Sequence, residues 1–153
     1  MIYYFFKLRI ITIIPIIFFI FIKQSYSNEF DNVSACAGVV MGEGATELRD
    51  LQNEENFDDA FELAIKAFYG EGLSKQRSEE DIVIAENIIA SNVDKIYMQP
   101  EWTAEVYEEV IRCYRILGLK VLEKSNLIKN NINMINQYIN KYKSRLKRMI
   151  NAG

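Results

Sequence analysis

From residue 28 onward the apolar side chains recur at spacings of three and four, and no stretch alternates with period two. That is the pattern of amphipathic helices rather than strands. It predicts an all-α fold, a small bundle of about four helices with a long C-terminal amphipathic helix. The first helix is expected from about Asn32 to Leu51, with Cys36 and Val40 on one face and with Gly38 and Gly42 thinning it for close approach by a neighbour. A second is expected to follow Asn56, an N-cap ahead of Asp58 and Asp59, and to stop at Gly70-Glu71-Gly72. Its Phe57, Phe61, Ala64, Ile65 and Phe68 form one stripe that reads as core. Ser78-Glu79-Glu80-Asp81 resembles a capping box and opens a third helix, with Ile82, Ala85, Ile89, Val93 and Ile96 at helical spacing and Pro100 closing it off. The fourth, about Glu101 to Leu117, has two apolar stripes: Val106, Val110, Cys113 and Leu117 on one, Tyr107, Ile111 and Tyr114 on the other. Two stripes predict a place in the middle of the bundle.

The tail follows a different rule. Val121, Ile128, Ile132, Ile135, Ile139, Tyr142, Leu146 and Met149 stand seven apart and then alternately four and three, a heptad spacing with Ser125 in the missing place. Asn130, Asn131, Asn133, Asn136 and Asn140 oppose the helix by about 0.6 kcal/mol each relative to Ala. Burying a large apolar side chain returns about 1.5 to 3 kcal/mol, so the stripe outweighs the asparagines wherever it is covered. Three covers are open to it: its own bundle, another chain (a second copy making a homo-oligomer), or a membrane surface.

Residues 1 to 27 read as a secretory signal. Lys7 and Arg9 form the basic start, Ile10 to Ile22 is apolar apart from Thr12 and Pro15, and Ser25-Tyr26-Ser27 supplies the small residues of a cleavage site. An uncleaved membrane anchor is the alternative, although the run is short of the roughly 20 residues of a spanning helix. Val33-Ser34-Ala35-Cys36 resembles a lipobox, but Lys23, Glu29 and Asp31 separate it from the apolar run. In an exported chain the two cysteines favour one disulfide, Cys36 to Cys113, and both sit on apolar helix faces. Two separate buried thiols are the reading for a cytosolic chain.

Charge divides the chain further. The 18 basic and 21 acidic residues nearly balance overall. Asn28 to Leu119 nevertheless carries a net charge of -13, and Lys120 to Gly153 one of +7. The expected organisation is thus a signal (1–27), an acidic helical bundle (28–118) and a basic amphipathic C-terminal helix (119–153). The absence of histidine removes Ser-His-Asp and Cys-His catalysis, HExxH zinc sites and imidazole pH switches together. Carboxylates remain. Glu43, Glu47, Asp50, Glu54 and Glu55 form one group and Glu105, Glu108 and Glu109 another. Two of them facing across a cleft would suit glycoside hydrolysis, against the plainer reading of solvated acidic faces. No DxDxDG loop occurs, and neither metal nor cofactor is expected. Trp102, the single tryptophan, reads as an anchor at a helix start or the wall of a small pocket.

The segment Ser34-Ala35-Cys36-Ala37-Gly38-Val39-Val40, with Tyr107-Glu108-Glu109-Val110-Ile111-Arg112-Cys113 much later, resembles small exported helical proteins of Gram-negative bacteria that carry one Cys–Cys pair. The resemblance implies a periplasmic location and a helix-to-helix disulfide. A looser likeness is to acid-activated periplasmic chaperones, from which the wider cysteine spacing and the heptad tail depart. The expected function is a non-enzymatic periplasmic binding protein. Its contact with a protein partner or an anionic membrane surface is expected through Ile128, Ile132, Ile135, Ile139, Tyr142 and Leu146, with Lys141, Lys143, Arg145, Lys147 and Arg148 beside them. An acid-activated chaperone and a carboxylate-dependent glycosidase are the alternatives. Nucleic acid is not expected, because the basic residues lie at one end of an acidic chain without a motif around them.

Overall fold

A computed structural model describes residues 29 to 150. The expected signal lies outside them, as do residues 151 to 153 and the side chain of Met149. Six helices make up the described residues, which include no strand: α1 (29–51), α2 (Glu54–Ser74), α3 (Glu79–Tyr97), α4 (Ala104–Glu123), α5 (Ser125–Asn130) and α6 (Ile132–Ile150). The all-helical class is as expected, and the disulfide joins Cys36 of α1 to Cys113 of α4, with 4.8 Å between the Cα atoms.

α1 is the centre of the bundle, and α4 is not. Val33, Cys36, Ala37, Val39, Val40, Met41 and Ala45 leave almost no free face on α1, whereas Tyr107 and Ile111 on the second stripe of α4 are 55% and 59% exposed. Small residues explain the difference, because a helix can be surrounded only where its neighbours reach the backbone. A Cβ at Gly38 would strike the Ile89 carbonyl and lie 2.6 Å from the Asn92 Cβ, and one at Gly42 would lie 2.8 Å from the Ile96 Cβ, so both glycines seat α3. Gly44 does the same for α2, where a Cβ would lie 2.8 Å from that of Ala60. The face of α1 opposite Gly38 carries both Cys36, toward α4, and Glu43, whose oxygens accept from Tyr114 of α4 (2.7 Å) and Asn56 of α2 (2.9 Å).

Helix ends follow the capping chemistry, with one correction. Ser78 and Asp81 form the expected capping box, and Thr103 caps α4 by accepting from the Val106 amide. α2 starts earlier than expected and runs through Gly70-Glu71-Gly72 to Ser74, because Asn53 caps it by accepting from Asn56 and nothing at the glycines breaks it. The turns that end α1 and α2 use glutamine in the left-handed region, Gln52 at φ 53 and Gln76 at φ 49. In each turn the following amide reaches back to the helix, Asn53 to Glu47 and Arg77 to Gly72. This termination usually falls to glycine, so the sequence pattern misplaces it. The tail is also not one helix. It is jointed at Lys124 and at Asn131, where the Asn131 side chain donates to the Leu127 carbonyl and competes with the helical ladder.

The glycines separate packing from propensity. Gly38→Ala is expected to destabilise the protein by about 2 kcal/mol or more through overpacking. Gly118→Ala, where a Cβ would meet nothing within 4 Å, is expected to stabilise it by about 0.5 to 1 kcal/mol. Urea unfolding followed by far-UV circular dichroism of both variants checks the contrast, and equal signs would refute this packing of α1.

Candidate interaction site

The tail's apolar stripe folds back on its own bundle. Ile128, Ile135 and Ile139 are buried in the common core, and Ile132, Tyr142 and Leu146 are partly buried against it. Ile128 fits the space that Gly70 leaves, where an added Cβ would approach its Cδ1 to 3.1 Å. Tyr138 stacks on Tyr69 with ring centroids 4.2 Å apart, and Tyr142 donates to the Glu86 carboxylate of α3. Two of the expected contact lysines face inward: Lys143 pairs with Asp58 at 2.8 Å, and Lys147 pairs with Glu54 at 3.7 Å and lies over the Phe57 ring. The attraction between acidic body and basic tail is thus used within the chain, and the stripe expected to meet a partner is covered.

Between α2 and the joint of the tail lies the one fully buried acid in the described residues, Glu71. Lys75, Lys120 and Lys124 approach it at 3.8, 4.0 and 3.9 Å, and neither of its oxygens makes a hydrogen bond among the described residues. Glu29 joins from α1 by pairing with Lys75 and Lys120, and Glu123 pairs with Lys120 and Lys124. Hydrogen bonds from the lysines hold the carboxyls of Glu29 and Glu123 below their usual range, Glu123 to about 2. Burial pushes Glu43 the other way. Buried Tyr69 and half-buried Tyr114 and Tyr142 are each kept protonated by removal from solvent and by nearby acids.

What faces outward is of two kinds. Lys141, Arg145 and Arg148 stand four and three apart on the outer face of α6, exposed, with exposed Lys129 on α5 before them. None of the four makes an ion pair among the described residues. Beside them, a groove of about 350 Å³ between α3 and α6 has an apolar floor that includes Phe61 and Val93, with Glu86, Asp94 and Arg145 at its edge. At one end of the bundle, where α1 stops and α3 passes into α4, a hollow of about 260 Å³ is walled by Leu51, Pro100, Trp102 and Tyr107. Glu47, Arg49 and Asp50 reach the same hollow. Asp50 is held ionised by the hydrogen bonds from Arg49. Of the other acids at the start of α4, Glu105 and Glu108 are exposed and Glu109 pairs with Lys95 at 3.4 Å. Among the described residues no three Cys, Asp or Glu side chains gather as metal ligands. No protein-family model, curated protein or solved structure matches this chain.

Sequence reasoning marked the basic tail and gave a pocket wall as one of two roles for Trp102, beside an anchor at a helix start. It missed Glu71, read there as part of a helix stop, although a lone acid between two glycines and within reach of Lys75 was a visible sign.

Two measurements probe the charge cluster. Glu71→Gln leaves three lysines without their central counter-charge and is expected to lower stability by about 3 kcal/mol, read from urea midpoints. Glu29 and Glu123 have depressed folded-state pKa values, so their contribution is present above about pH 4.5, the ordinary carboxylate value, and is lost as pH falls toward 2. Lys120→Met should flatten this acid limb, by no more than about 1 kcal/mol because Glu123 is exposed to solvent. An unchanged pH profile of stability would show that these pairs do not contribute.

Proposed function

We propose that this chain is a non-enzymatic binding protein of an exported, oxidising compartment such as the periplasm, and that it meets an anionic partner, an acidic protein or membrane surface, through the outer face of its C-terminal helix. The observation that carries this reading is the division of α6: its apolar stripe is spent on the bundle, whereas Lys141, Arg145 and Arg148 face solvent on one stripe without a counter-charge. Contact is then electrostatic. Each basic residue near an anionic surface adds about 1 kcal/mol, and binding weakens as salt rises. The buried Cys36–Cys113 link supports the location, since such links persist in oxidising surroundings. A helical body with its surface acids in solvent or ion pairs supports binding rather than carboxylate catalysis.

The acid-activated chaperone is kept as a second reading by one observation. The stripe is held down partly by Lys143–Asp58 and Lys147–Glu54, and protonating those acids removes both pairs. Release of the tail would then uncover Ile128, Ile135 and Ile139.

Deleting the tail is a poor test, because it uncovers Phe57 and Tyr69 in the core. The better variant is Lys129→Gln/Lys141→Gln/Arg145→Gln/Arg148→Gln, which leaves the packed face intact. Pull-down from the protein's own cell envelope, with flotation on vesicles of 30% phosphatidylglycerol in phosphatidylcholine alongside, should show salt-sensitive association that the variant loses at unchanged circular dichroism. Undiminished association of the variant would sink the proposal. Unfolded-client aggregation assays at pH 3 and pH 7 decide the second reading.

A further inference from the structure

The hollow at the end of the bundle has the make-up of a recognition surface. Leu51 is 69% exposed and Tyr107 55%, two of the exposed large apolar side chains among the described residues, and here they meet at one hollow. Trp102 packs edge-on against Tyr107 with ring centroids 5.3 Å apart. Arg49 is fixed in place, its guanidinium 4.7 Å from the centre of the Tyr97 ring while it donates to the Tyr97 carbonyl at 2.8 Å and to Asp50. Tryptophan, tyrosine and arginine on a rigid support are the residue types that dominate binding energy at protein interfaces. The space admits a large apolar side chain.

Charge selects the occupant. Glu47 and Asp50 reach the hollow from α1. Glu101, Glu105 and Glu108 are exposed along the stretch of chain that holds Trp102 and Tyr107. Arg49, which also lines the hollow, gives its charge to Asp50, and Lys147 of the tail gives its own to Glu54. A hollow walled by Leu51, Pro100, Trp102 and Tyr107, with Glu47, Glu101, Glu105 and Glu108 in no ion pair among the described residues, complements a segment that is apolar and basic at once. We infer that this end of the bundle, around Leu51, Trp102 and Tyr107, docks a cationic amphipathic segment of a partner protein, seating one apolar side chain in the hollow and its lysines or arginines on the rim. The surface is opposite in sign to the outer face of α6 and does not depend on it.

Trp102 is the only tryptophan and stands in the proposed contact, so its fluorescence reports on the site directly. Titrating the intact, oxidised protein with a synthetic helical Leu/Lys 15-mer should shift Trp102 emission to the blue, saturably and less at high salt. A Leu/Glu peptide of equal length should not. Glu47→Gln/Glu101→Gln/Glu105→Gln/Glu108→Gln should weaken binding at least tenfold, and Leu51→Ser should weaken it without changing its salt dependence. Glu79→Gln/Glu80→Gln should leave it unchanged, because those residues start α3 at its far end, about 28 Å away at 1.5 Å per residue. The proposal is overturned if Trp102 emission does not respond, or if the Glu79/Glu80 variant loses as much affinity as the rim variant. It is also overturned if sedimentation shows a dimer that Leu51→Ser dissolves, since the hollow would then belong to a second copy of this chain.

Discussion

A carboxylate with no access to water holds the two halves of this protein in register. Glu71 lies where α2, the end of α4 and the start of α5 meet, and Glu29 of α1 is linked to it through Lys75 and Lys120. A buried charge of this kind contributes little net stability compared with an apolar group of the same shape, but it is intolerant of misplacement. A tail docked one turn out of register at the Lys124 joint would draw Lys124 away from Glu71. The flanking glycines admit neighbours on two sides of α2: Gly70 admits Ile128 of α5, and a Cβ on Gly72 would press on Ile82 of α3 at 3.2 Å.

Much of the architecture was readable because local chemistry and packing agree there. The capping box at Ser78, the stripes of α2 and α3, the pairing of Cys36 with Cys113 and the close approach at Gly38 and Gly42 all follow from spacing and residue type. The misreadings have physical causes. Two apolar stripes on α4 suggested a central helix, but centrality requires small residues more than apolar ones, and α1 has them. The glycines around Glu71 suggested a stop because propensity favours one; tertiary contacts override a propensity difference of about 1 kcal/mol. Gln52 and Gln76 end their helices with a backbone conformation that glutamine rarely signals.

The candidate surfaces were less legible for a related reason. A heptad stripe looks the same in sequence whether its cover is the same chain or another, and only the fold distinguishes the two. Once α6 is laid on α2, what the tail leaves facing solvent is its outer basic residues rather than the isoleucines. Likewise Leu51 and Trp102, fifty-one positions apart in the chain, become one surface only because α1 ends beside the α3–α4 connection.

The disulfide has a mechanical side as well. It closes a covalent loop spanning 77 positions, from α1 across the whole of α2 and α3 into α4. Tension applied between the two ends of the chain crosses from Cys36 to Cys113 through the sulfurs and bypasses everything between them. The load falls on the start of α1, the end of α4, and the jointed tail. If one end is tethered and the other is pulled by a partner, α5 and α6 peel away first, while α2 and α3 carry no force along their backbone.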